Sequence, residues 1–140
     1  MRRHPRIAAV TAVGLGAIAL SVTGCSSESP QENVSQACTE ADALGTAIED
    51  FRAALTEDAT VEEVRAARDS VIDSYDTLMA EAQDVAQDRI DELESTIDRF
   101  QAAVDDVPDD AEVPDAVESL RGEATDVRTS LESLEADLTC

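Results

Sequence analysis

The sequence predicts an all-α fold, an antiparallel coiled-coil-like helical bundle, and three observations carry that prediction. Residues 60–107 run for 48 positions without Gly or Pro. Apolar side chains recur there at Val61, Val64, Val71, Tyr75, Leu78, Ala82, Ala86, Ile90, Leu93, Ile97, Phe100, Val104 and Val107. The steps are three and four residues, apart from a gap at Arg68, which is the period of one helix face and not of a strand. Two shorter stretches on either side carry seams of the same period. The only aromatic residues are Phe51, Tyr75 and Phe100, so a core must be built from aliphatic side chains and alanine.

The first 24 residues are expected to be a targeting segment. Arg2, Arg3 and Arg6 form a positive n-region, and residues 7–20 form an apolar h-region. That h-region is too short for a membrane span of about 20 residues. It leads to Val22-Thr23-Gly24-Cys25, which resembles the lipobox of bacterial lipoproteins, where a small residue precedes the modified cysteine. The resemblance covers the leader in charge, length and cleavage site. It implies cleavage after Gly24, lipidation (a diacylglyceryl group) on Cys25, and anchoring on the extracytoplasmic face of the cell membrane. Arg2-Arg3 is not followed by the residues of a twin-arginine signal, so general secretion is the expected route.

Without the leader the chain loses three arginines and its only histidine, His4. Seven arginines remain against all 32 acids, a side-chain balance of −25, with no Lys and no Trp. Such a surface repels nucleic acid and bare anionic lipid, so attachment to a membrane calls for a covalent lipid rather than charge. The remaining length allows one small domain.

Residues 25–35 are read as a lipidated polar tether and 36–140 as the helical domain. Within the tether, Ser29-Pro30-Gln31-Glu32 has the form of a capping box with Pro at the first helical position, so the first helix can start there or nearer Ser35. Its seam is Val34, Ala37/Cys38, Ala41, Leu44, Ile48, Phe51 and Leu55. Residues 56–59 form a break, and Thr60-Val61-Glu62-Glu63 is a second capping box that opens the long segment. Residues 105–115 contain Pro108 and Pro114 and read as a turn, because Pro108 has no amide to give a helix. The last helix follows, with Val113, Val117, Leu120, Ala124, Val127, Leu131, Leu134 and Leu138 in a heptad seam.

Two architectures satisfy these seams. In the first, 60–107 is one continuous helix of about 72 Å, with the two shorter helices packed antiparallel on its two halves. In the second, it breaks near its middle and gives a four-helix up-down-up-down bundle. The absence of Gly, Pro or Asn between Leu78 and Ile90 favours the continuous helix. Three successive steps of four over the same residues, a slip in the seam, favour a break. Continuity is the expectation. Either architecture brings Cys38 and Cys140 together.

With Cys25 lipidated, Cys38 and Cys140 are an even pair in an oxidising compartment and read as a disulfide. A zinc site lacks ligands, since no His and no third free Cys remain, and no CxxC motif supports redox catalysis. Asp105, Asp106, Asp109, Asp110, Glu112 and Asp115 gather in one turn that can attract calcium, but without the Gly and spacing of an EF-hand. No metal and no cofactor are expected. Asp and Glu are too frequent for any pair to stand out as general acid and base, and narrow heptad seams offer no cleft to separate their pKa values. No catalytic residue is assigned, and an enzyme is not expected. Tyr75 reads as a core residue with its hydroxyl at the rim. Arginine–carboxylate pairs at helical spacing are Glu62/Arg65/Asp69, Arg89/Glu92, Glu118/Arg121 and Arg128/Glu132.

Ala37-Cys38 opening a helical body, acidic alanine-rich heptads, and Cys140 at its end also resemble a group of small exported actinobacterial proteins of uncharacterised function, bracketed by two cysteines. That resemblance implies no enzymatic activity and transfers no functional residue. The expected role is a membrane-anchored helical spacer or protein-interaction module with an unknown protein partner. The alternative is a calcium-responsive binding protein at the cell surface, and a carboxylate-based hydrolase is a third class. Calorimetric titration with Ca²⁺ separates the calcium reading from the others. Loss of activity on mutating one specific acid identifies the hydrolase.

Overall fold

The computed structural model describes residues 30–82 and 86–140. Four α-helices make up the fold: α1 (Pro30–Ala54), α2 (Val61–Ala82), α3 (Gln87–Asp105) and α4 (Val113–Leu138). The leader, Cys25 and residues 83–85 lie outside the described residues.

The predicted continuous central helix is therefore two helices, and they fold back on each other. The Arg65 guanidinium near the start of α2 donates to the carbonyl of Val107 just beyond α3, at 3.0 Å across 42 residues of sequence. One straight helix would hold those residues about 63 Å apart. Arg68 reaches Asp105 in the same way. Phe51 of α1 meets Phe100 of α3 edge-on with ring centroids 4.7 Å apart, a contact across the bundle that a rod forbids. The fold is the four-helix up-down-up-down alternative, and its longest helix spans about 39 Å.

The reason lies in burial. A rod buries each seam against one neighbour. The folded-back bundle turns the seams of two hairpins onto one another. Phe51, Leu44, Leu78, Leu93, Leu131 and Leu134 are all fully buried as a result. At roughly 25 cal/mol per Å² of apolar surface, packing one hairpin's seam on the other favours the folded-back form. α1 packs chiefly on α2 and α3 on α4, and α2 against α3 is the thinnest of the neighbouring contacts.

The local signals worked differently at the different helix ends. Thr60 and Glu63 form the predicted capping box: the Glu63 carboxylate accepts from the Thr60 amide and hydroxyl, each at 2.9 Å, and the Glu63 amide donates back to Thr60 Oγ1 at 3.2 Å. α4 starts after Glu112 with Pro114 in its first turn, where a missing amide costs nothing. α3, by contrast, is preceded by Ala86 with no side-chain cap at all. α1 begins at Pro30, so residues 30–35, assigned to the tether from sequence, are helical.

Candidate functional site

Cys38 lies two turns into α1, and Cys140 follows α4 after Thr139, which adopts a left-handed conformation at φ 60°. The amides of Thr139 and Cys140 donate to the carbonyls of Ala136 and Glu135, closing the helix end. This turn carries Cys140 back over the bundle to Cys38, where the two sulfurs are bonded with Cα atoms 5.6 Å apart. A β-branched residue at positive φ costs about 1–2 kcal/mol, which the hydrogen bonds and the covalent link hold in place. The bond joins α1 to α4 at the end of the bundle where α2 runs into α3, and it encloses almost the whole fold, 102 residues of separation.

The opposite end carries the two intrahairpin connections and most of the surface relief. One shallow groove of about 520 Å³ lies between those connections and is lined by Glu57, Asp58, Asp109 and Glu112 among others. Two of the acids of 105–115 are held by arginines of α2: Asp109 pairs with Arg65 and Asp105 with Arg68. Among the described residues no group of three or more His, Cys, Asp or Glu side chains is arranged to hold a metal ion.

The arginines are distributed with less regard to helical spacing than the sequence suggests. Arg89 pairs with Glu92 as predicted and also with Asp137 of α4, at 2.9 and 2.7 Å. Arg128 pairs with Glu132 at 3.0 Å. Arg65 turns away from Glu62 and Asp69 to Val107 and Asp109 in the connection after α3, and Arg121 forgoes Glu118 and donates to the Leu55 carbonyl at 2.9 Å. Arg68 occupies the gap in the α2 seam with only 13% of its side chain exposed, held by Asp69 and Asp105. Buried Gly45 of α1 makes room for Arg128: a Cβ there would stand 2.3 Å from Arg128 Nη1.

Two carboxyls and one phenol depart from their ordinary titration range. The Thr60 amide, then its hydroxyl, holds Glu63 below the usual carboxylate value. Burial pushes Glu135 up, with Asp42 and Glu132 adding to it and Arg128 opposing. Burial, then the charges of Glu94, Asp98 and Asp76, push Tyr75 up to about 12. Tyr75 is the only tyrosine and there is no tryptophan, so the phenolate absorbance reports one residue. We expect a midpoint near 12 in the folded protein and near the ordinary value of ~10 in denaturant. The sign follows from linkage: below ~10 the phenol is neutral in both states, and between ~10 and 12 only the unfolded chain ionises, so stability falls as pH rises through that window. A folded-state midpoint at the denatured value would show the hydroxyl to be solvated and away from Glu94 and Asp98.

The class that fold and site define is a disulfide-closed, acidic four-helix bundle. No family model, no curated protein and no solved structure matches the chain.

Proposed function

We propose that the chain is a lipoprotein anchored through Cys25 on the extracytoplasmic face of the cell membrane, where the bundle acts as a helical spacer or protein-interaction module. The observation that carries this reading is the leader ending in Val22-Thr23-Gly24-Cys25. Three others support it. No helix among the described residues is long and apolar enough to cross a membrane, which accords with attachment through a lipid. A side-chain balance of −25 after cleavage makes electrostatic attachment to anionic lipid unfavourable. The Cys38–Cys140 bond suits an oxidising compartment.

The geometry then has a direction. Four residues separate Cys25 from Pro30, a reach of at most ~18 Å over five residue steps. The disulfide end of the bundle faces the bilayer, and the connections before Val61 and before Val113 stand about 33–39 Å farther out, by the rise per residue of α2 and α4. A partner meets that outer end first.

Cys25→Ser is the test. Lipid attachment and cleavage both need the thiol, so the variant is expected to remain uncleaved or to be released from the membrane. Processed Cys25→Ser protein in the membrane fraction at the wild-type level would defeat the anchoring claim.

A further inference from the structure

We propose that the groove between the last turn of α1 and the first turns of α4 is a binding site for a carboxylate carried beside an aliphatic side chain, such as the C-terminus of a partner polypeptide ending in leucine. The groove measures about 480 Å³ and is lined by Arg52, Leu55, Pro114, Val117 and Arg121 together with Ala53, Thr56 and Glu57. It sits at the outer end of the bundle.

The argument starts from scarcity. The body of the chain has seven arginines for 32 acids, so carboxylate partners are abundant. Arg65, Arg68, Arg89 and Arg128 each hold one by a hydrogen bond or an ion pair of 3.0 Å or less. Arg121 is the one arginine among the described residues with no carboxylate in ion-pair range, although Glu118 lies one turn away on the same helix. Its Nη2 is fixed on the Leu55 carbonyl, which orients the guanidinium and leaves its other N–H groups available. Arg52, in the last turn of α1, has only Glu49 at 3.5 Å. These two arginines line the same groove. Glu57 lines it too, without an ion pair to either.

A guanidinium group offers the planar pair of donors that a carboxylate accepts, and this groove is lined by two arginines. Val117 and Pro114 supply apolar surface beside them, over the buried Leu55. That combination favours an aliphatic carboxylate over inorganic phosphate, which gains nothing from the apolar surface. Repulsion from the rest of the acidic surface is screened beyond about 8–10 Å at physiological salt. The choice of a polypeptide as carrier rests on the interaction-module reading. The groove itself does not.

The experiment follows the Arg side-chain Nε–H resonances of the intact, oxidised chain during titration with 4-methylpentanoate, with 4-methylpentanol, with inorganic phosphate at matched ionic strength, and with acetyl-Ala-Ala-Leu as free acid and as amide. Saturable movement of Arg52 and Arg121 with 4-methylpentanoate, at a Kd on the order of millimolar for so small a ligand, is expected. Arg99, exposed and paired with Asp126 at only 3.9 Å, is the internal control and should not saturate. The peptide acid should bind and its amide should not. Arg52→Gln keeps the Arg121–Leu55 bond and should weaken binding at least tenfold in a folded protein. Non-saturating shifts, equal shifts at Arg99, tighter binding of phosphate or of the alcohol, or an unchanged Kd in Arg52→Gln would each overturn the site. Binding of 4-methylpentanoate without binding of the peptide acid would overturn the polypeptide carrier alone. Anchoring at Cys25 is decided separately by the fractionation test.

Discussion

Cys140→Ser is expected to lower folding stability by about 4–5 kcal/mol relative to the oxidised protein. The bond closes a loop of 102 residues of separation, and the chain-entropy relation gives close to 4.7 kcal/mol for a loop of about 100. Small domains are stable by roughly 5–15 kcal/mol, so the variant stands at the edge of folding. Urea denaturation of both forms measures the difference, and peptide mapping without reduction identifies the bond. A difference below about 1 kcal/mol would mean that the unfolded chain is already compact enough for the link to restrict little.

Phe51→Ala should cost about 3–5 kcal/mol, and Phe100→Ala a similar amount. Both rings are fully buried, at 0% and 1% exposure, and no other aromatic residue shares the core with comparable burial. The informative measurement is the double-mutant cycle. Edge-to-face packing at 4.7 Å predicts a coupling of about 0.5–1.5 kcal/mol between residues on α1 and α3. In a rod these residues would lie on distant halves, and their costs would simply add. Additivity within error, with a maximum particle dimension near 72 Å in small-angle scattering, would restore the continuous helix.

Much of the architecture is legible along the chain because helical period and burial are local consequences of one another. Spacing alone places thirteen residues of that central stretch on one face: Val61, Val64, Val71, Leu78, Ala82, Leu93, Ile97, Phe100, Val104 and Val107 are buried, and Tyr75, Ala86 and Ile90 are half-buried. The Thr60–Glu63 capping box and the cysteine pair are legible for the same reason: each rests on a residue type with a narrow set of uses. The break between α2 and α3 is not. Ala86 precedes α3 without a side-chain hydrogen bond, so no Ser, Thr, Asn or Gly marks the place. The only trace is the slip in the seam between Leu78 and Ile90, and what decides its meaning is the burial of one hairpin against the other, a long-range quantity. The arginines teach the same lesson on a smaller scale. Glu118 and Arg121 have ideal helical spacing, yet Arg121 serves a carbonyl at the end of a different helix. Surface pairs within one helix contribute only a few tenths of a kcal/mol, too little to compete with an unsatisfied carbonyl at a helix terminus. The groove formed by Arg52 and Arg121 was invisible for that reason.

The position of the disulfide also sets how the fold carries tension. A pull on the N-terminal side of α1 can straighten only Pro30 to Ala37 before it reaches Cys38. Those eight residues lengthen by about 15 Å in passing from helix to extended chain. Beyond them the load divides between α1 and α4, and neither helix can be peeled away without dragging the other. Since α2 joins α3 at that same end, the hairpins are hinged where the force arrives and free of it at the far end. A tug on the N-terminal side is therefore expected to draw out those eight residues first and to reach the connections at the far end last.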